Sequence, residues 1–196
     1  IQTGCNNYCT YCVVPYARGF EKNRPVKEIL NEIEQIALKG CKEVTLLGQV
    51  VNNYKVQSAE DFSSDNIFKA KDDFAALLWE INQIDGIERI HYTAADPQYF
   101  SEFQIEALNL PKQINYLHLP AQSGDNKILK KMNRKYTREQ YIDLVKKIQK
   151  TSPGITLGTD FIVGFVGETD NQLVNTLDLY KQVQFCLLYK SDAADE

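Results

Sequence analysis

Residues 114–165 read INYLHLPAQSGDNKILKKMNRKYTREQYIDLVKKIQKTSPGITLGTDFIVGF. The stretch opens on an apolar run of strand length, 114–120, and closes on another, 154–165. Between them, residues 126–133 begin a helix or turn. Thr137 then stands as an N-cap ahead of Tyr141, Leu144, Val145 and Ile148, which are spaced to line one helix face. Strand, helix and strand in that order make a βαβ unit with parallel strands.

The same alternation extends outward in both directions. Pro25 opens a helix carrying Ile29, Ile33, Ile36 and Ala37 at helical spacing, and Gly40 stops it. EVTLLGQ (43–49) is expected as a buried strand, and the polar stretch 52–73 as a surface insertion. A helix follows from Asp72 or Asp73, then a strand over 89–97, a short helix over 101–108, and a last helix over 171–183. The fold class is therefore α/β with repeated βα units, and its functional face lies at the C-terminal ends of the strands. Those ends carry Gly48-Gln49, Ala95-Asp96-Pro97, the 120–124 loop and the 164–168 loop.

Composition bounds the partners. Lys and Arg total 22 against 26 Asp and Glu, a net charge of −4. A nucleic-acid binder usually shows a basic excess, so an RNA substrate would need a local basic strip or a further module. No apolar run approaches the roughly 18 residues of a membrane span. No signal peptide is visible, so a cytoplasmic location and no membrane partner are expected.

Three of the five cysteines fall within residues 1–20, a loop shaped by Gly4 and Pro15. Cys5, Cys9 and Cys12 stand in a C-x3-C-x2-C spacing. In a reducing compartment such clustering reads as metal binding or catalysis. Three thiolates around a four-iron cubane leave one iron open to a ligand. A structural zinc would want a fourth ligand, and the nearest histidine in sequence is His91. Cys41 reads as packing.

This spacing resembles the signature of radical S-adenosylmethionine enzymes. The blocks GCNNYCTYCVVPYARG, EVTLLGQ, YLHLPAQSGDNKILKKMNRKYTREQY and TDFIVGFVGET are similar to the methylthiotransferases, above all the MiaB-type tRNA branch, over about residues 1–185. The resemblance implies a partial (βα) TIM-like barrel of the radical SAM type, with a [4Fe-4S] cluster on Cys5, Cys9 and Cys12. It implies S-adenosylmethionine bound at the open iron and cleaved by one electron to a deoxyadenosyl radical. It further implies methylthiolation of N6-isopentenyladenosine beside the anticodon of tRNA, an electron donor and a sulfur source. Such proteins also carry a second cluster in an N-terminal domain and a C-terminal TRAM domain, both expected to be absent from this chain. The threonylcarbamoyladenosine branch and the RimO-type branch, which modifies a ribosomal Asp, are the enzyme alternatives; a zinc-binding RNA module is the non-enzyme one. Val50 and Val166 stand where the family has Asn and Pro.

The resemblance places Tyr11 near the adenine. Gly48, Gln49, His118, Gln122, Ser123, Asp160, Gly164 and Glu168 are the further cofactor candidates, each also readable as a turn or core residue. Arg18 and Arg24 follow the cysteine loop and could hold a carboxylate or an RNA phosphate. Lys130, Lys131, Arg134 and Lys135 belong to the basic run KILKKMNRKYTR, which reads either as a solvated face or as a contact for the tRNA anticodon stem-loop. Residues 186–196, CLLYKSDAADE, resemble the conceptual translation of a sequencing adapter with Lys190 as a change. They are read as an artefactual tail, so the barrel is expected to lack its last strand and Cys186 to have no role. A divergent strand is the alternative.

Overall fold

A computed structural model of the chain describes residues 1–192. The chain begins with β1 (Gln2–Thr3), runs through the cysteine loop into α1 (Val14–Arg18), and returns as β2 (Lys22–Asn23), antiparallel to β1. This corrects the expectation of a plain loop over 1–20. Pro15 at the start of α1 presets the helical φ and has no N–H to lose. The Ile1 nitrogen donates to Leu47 O at 3.0 Å, which sets β1 beside the end of the third strand.

Five βα steps follow. They are α2 (Val26–Leu38), β3 (Glu43–Leu46), α3 (Asp73–Gln83), β4 (Arg89–Tyr92), α4 (Glu102–Ala107), β5 (Tyr116–His118), α5 (Asn126–Lys131), α6 (Arg138–Thr151), β6 (Thr156–Val163), α7 (Asp170–Val183) and β7 (Leu187–Asp192). β3 pairs with β4 in parallel, and β5, β6 and β7 form a second parallel set. Ile90 joins the two: its N–H donates to Lys112 O at 2.7 Å and its carbonyl accepts from Ile114 at 3.2 Å. The result is an open arc, a partial barrel with strand order β3 to β7. No helix among the described residues is long and apolar enough to cross a membrane.

The helices cover one face of this arc. Val44, Leu46, Ile90, Leu117, Leu157 and Phe161 point outward into one core with Ile29, Ile33, Leu77, Ile81, Val145 and Ile148. The opposite face faces the concave side. Of 43–49, expected as a buried strand, the strand covers Glu43–Leu46 and one face of it is buried: Val44 and Leu46 are buried while Glu43 and Thr45 are exposed. Strand 89–97 is shorter than expected because Ala94 turns the chain with φ +60° and Asp96 caps the 3-10 turn at Pro97–Tyr99.

The polar stretch 52–73 is not a loose surface insertion. Tyr54, Phe62 and Phe68 are buried in the core. The buried Glu80 carboxylate accepts from Ser63 N–H at 2.7 Å, from Ser63 Oγ at 2.8 Å and from Asn66 Nδ2 at 2.9 Å. Three aromatic anchors in a polar background are what the overall composition of the stretch conceals.

The sheet runs one strand past the point where the sequence reading ended it. Residues Leu187–Asp192 pair in parallel with Gly158–Val163 along an edge of β6 that would otherwise be unpaired. Residues 193–196 of the expected tail lie outside the described residues.

Candidate functional site

The strand ends and the cysteine loop enclose a cavity of about 220 Å³. Cys5, Cys9 and Cys12 line it together with Tyr11, Gln49, His118, Gln122 and Asp160. Eight residues expected at the site are thus brought to one place from four parts of the chain. All three thiols are free. Burial pushes the Cys5 thiol up, while the Asn7 N–H, 3.4 Å from its sulfur, pulls the other way.

The loop holding the thiols is pinned from the α5–α6 turn. Asn133 Nδ2 donates to Asn7 O at 3.0 Å and to Tyr8 O at 2.9 Å. Thr10 N–H donates to Met132 O at 3.2 Å and Thr10 Oγ1 to Lys131 O at 2.9 Å. From the other side, Asn7 Nδ2 donates to Asp96 Oδ2 at 3.0 Å and Tyr99 OH donates to Asn7 Oδ1 at 2.8 Å. Asn52 exchanges two hydrogen bonds with the Asp96 backbone, so the β4 end is itself fixed. Asn7, Asp96, Tyr99 and Asn133 were missed as functional residues. Asp96 was legible only as part of the rim at a strand end, and Asn133 only as an asparagine, which tolerates the left-handed backbone it adopts, φ +60°.

Ala94 and Gln122, which line the cavity, also have positive φ, +60° and +63°. Non-glycine residues held this way cluster at binding sites because the surroundings over-determine them. At Gln122 the cause is visible: its N–H donates to Asp160 O and its carbonyl accepts from Ile162, both at 2.9 Å. His118 bridges β4 and β6, with Nδ1 3.5 Å from Ala94 N–H and Nε2 3.1 Å from Asp160 Oδ1.

Other expected residues stand elsewhere. Gly48 lets the backbone approach Gln2 rather than a ligand, for a Cβ there would be 3.2 Å from Gln2 Oε1 and from Val51 Cα. The Ser123 hydroxyl is buried against Thr176 Oγ1 and accepts from Asp125 N–H, so it is spent on structure. Gly164 and Glu168 close their own loop, Gly164 N–H to Glu168 Oε2 at 2.7 Å. That loop reaches the site through Phe165, whose ring meets Tyr11 edge-on at 6.4 Å. Arg24 pairs with Glu32 at 2.7 Å, Lys131 reaches Gly167 O, and Lys135 reaches Asn133 Oδ1. Arg18 and Lys130 are exposed. Arg134 corrects its assignment as an RNA contact: its side chain is 9% exposed, paired with Asp96 at 2.9 Å, and lines the cavity.

The donor set suits a cubane. Cys5, Cys9 and Cys12 are all free and line one cavity, the three-thiol set that holds a four-iron cluster and leaves one iron open.

The sequence profile described as the Radical SAM superfamily matches residues 1–180. The tRNA-2-methylthio-N(6)-dimethylallyladenosine synthase of Thermoanaerobacter sp. (strain X514) is 48% identical over 187 residues, 95% of this chain and 38% of that protein. The protein of the same name from Pelotomaculum thermopropionicum (strain DSM 13744 / JCM 10971 / SI) is 46% identical over 96% of this chain and 40% of its own length. The chain thus spans about two fifths of the length of these relatives. Among solved structures, the cobalamin-dependent S-adenosylmethionine radical enzyme OxsB with aqua-cobalamin and S-adenosylmethionine bound superposes with a TM-score of 0.65. It shares 18% identity and covers 91% of this chain and 25% of that one, a likeness of fold.

Proposed function

The chain belongs to the radical SAM superfamily, and from that premise we propose that it is the catalytic core of a tRNA methylthiotransferase acting on N6-isopentenyladenosine beside the anticodon. The observation that carries this reading is the convergence of three free thiols with polar groups from the ends of β3, β4 and β5 and from β6 on one cavity. The shared name of the two relatives supports the substrate. A [4Fe-4S] cluster and S-adenosylmethionine are the superfamily's cofactors, and when bound they supply one-electron chemistry that removes hydrogen from an unreactive C–H bond.

The chain's own residues hold and orient. Cys5, Cys9 and Cys12 would carry the cluster, and the Asn133 and Thr10 bonds keep their loop in place. Gln49 and Gln122 offer both donors and acceptors, and Asp160 offers acceptors, to the polar ends of the cofactor. Tyr11 and Phe165 form an aromatic wall at which a purine ring can pack. Arg18, Lys130, Lys131 and Lys135 are the exposed cations among the candidates for tRNA phosphates. In the whole protein an auxiliary cluster, a sulfur source and an electron donor complete the reaction, in the cytoplasm. Residues 1–185 form the core in this reading, and 186–196 are foreign to it although Leu187–Asp192 extend the sheet.

Nucleoside composition of tRNA tests the substrate. Cells lacking the gene are expected to lose 2-methylthio-N6-isopentenyladenosine and to accumulate isopentenyladenosine. Loss of the methylthio derivative of threonylcarbamoyladenosine instead, or of no methylthio nucleoside, overturns the assignment.

A further inference from the structure

We propose that Arg134 sets the reduction potential of the cluster by donating a charged hydrogen bond to the Cys9 thiolate, with Asp96 holding the guanidinium in place. The inference rests on the cluster reading above.

Arg134 spreads its planar fork over three partners. Nη1 donates to Cys9 Sγ at 3.3 Å, Nη2 pairs with Asp96 Oδ2 at 2.9 Å, and Nε donates to Tyr136 OH at 3.3 Å. The guanidinium also lies over the Tyr136 ring, 5.1 Å from its centroid. Arg134 and Asp96 side chains are 9% and 5% exposed. An arginine buried so deeply costs several kcal/mol unless paired, and Asp96 supplies that pairing. Asp96 is in turn held by Asn7, from within the cysteine loop itself. The fork is thus aimed at the sulfur by an anchored carboxylate and by an aromatic face.

The three thiols are not equivalent. Among the described residues, Cys5 receives a neutral backbone N–H, from Asn7 at 3.4 Å. Among the described residues, the hydrogen bond that brings a formal positive charge to a cluster thiol goes to Cys9. Taking up one electron makes the cluster and its thiolates more negative by one unit, with no bond made or broken. A cation beside one sulfur stabilises that more negative state, and hydrogen bonds to sulfur act in the same direction. Burial keeps solvent ions from screening the effect. Asp96, on the far side of the same cation, works against it in part. The two residues therefore act with opposite signs on one quantity, which a purely structural role would not produce.

The test is a redox titration of the anaerobically reconstituted chain, followed by the electron paramagnetic resonance of the reduced cluster, with iron and sulfide counted per chain. In Arg134→Gln at unchanged iron content, the ratio of reduced to oxidised cluster at fixed ambient potential is expected to fall about tenfold, which is about 59 mV for a one-electron couple. Arg134→Lys keeps the charge but cannot span both partners with one planar group, and a smaller fall is expected. It decides the question if the Gln variant does not load. Asp96→Asn, which leaves Arg134 less compensated, is expected to shift the ratio upward. Potentials equal to the parent in the loaded variants, or shifts of the same sign in Arg134→Gln and Asp96→Asn, overturn the proposal while leaving the cluster reading intact. A parent chain that takes up no four-iron cluster overturns both.

Discussion

The Asp125 carboxylate accepts four hydrogen bonds. Oδ1 takes the N–H groups of Lys127 and Ile128 at 2.9 and 3.1 Å and Gln172 Nε2 at 3.0 Å, and Oδ2 takes Asn175 Nδ2 at 2.8 Å. One side chain thus caps α5 and ties it to α7, and α5 leads into the Met132–Arg134 turn that pins the cysteine loop. Burial raises its pKa, but the bonds from Asn175, Ile128, Lys127 and Gln172 outweigh that and hold it below the usual carboxylate range. Its folded pKa is depressed, so the unfolded chain binds the proton more readily. The stabilisation is complete above the ordinary Asp value of about 3.9 and is lost as pH falls through the folded value. Asp125→Ala is expected to cost about 1–2 kcal/mol at neutral pH. Denaturant melts at pH 7 and pH 3 should show the difference between parent and variant shrinking in acid. A cost that stays constant across that range contradicts this account. At this scale the cysteines were legible because spacing alone names their chemistry. Asp96 and Asn7 were not, because their role exists only once β4 and the cysteine loop meet, 89 residues apart in sequence.

At the scale of elements, helices with strong end signals were readable and anchored loops were not. Thr137 caps α6 with a reciprocal capping box to Gln140, and Asp72 caps α3 by accepting from Ala75 N–H. Both caps are local, so the sequence carries them whole. The 52–73 segment depends on a distant acceptor: Glu80 on α3 satisfies the Ser63 N–H, the Ser63 hydroxyl and the Asn66 amide. Glu80→Ala would remove the acceptor of the buried Asn66 amide and of two partly buried Ser63 donors, at a cost of about 1–3 kcal/mol. The expected outcome is local release, read as faster hydrogen exchange at Ser63 and proteolysis within 57–71, with the thiol-lined cavity still formed. Exchange at Ser63 equal to the parent contradicts the anchoring. α1 escaped the sequence reading for another reason. Its five residues are too few for periodicity, and Pro15, which starts it, reads equally well as a loop residue.

For the whole molecule, the order of strands and helices was enough to place the functional rim, since parallel βα units put their loops at one end. What it could not place was the distribution of charge inside that rim. Arg134 sits in a basic run that reads as solvated, yet the fold turns it inward onto Cys9 and Asp96 while its neighbours Lys130 and Lys135 stay outside. The turn at Asn133, with its left-handed backbone, is what separates them. The open arc of β3 to β7 likewise follows from pairing at Ile90 and β6, which no local pattern encodes.

The central claim is that three thiols hold a four-iron cluster whose remaining iron is free to take S-adenosylmethionine. Mössbauer spectroscopy of the anaerobically reconstituted chain, recorded with and without that cofactor, tests it most directly. The account predicts about four irons per chain, of which one changes its parameters when the cofactor is added, and a collapse of the iron content in Cys9→Ala. Four irons that all ignore the cofactor, or undiminished iron without the Cys9 thiol, would contradict it.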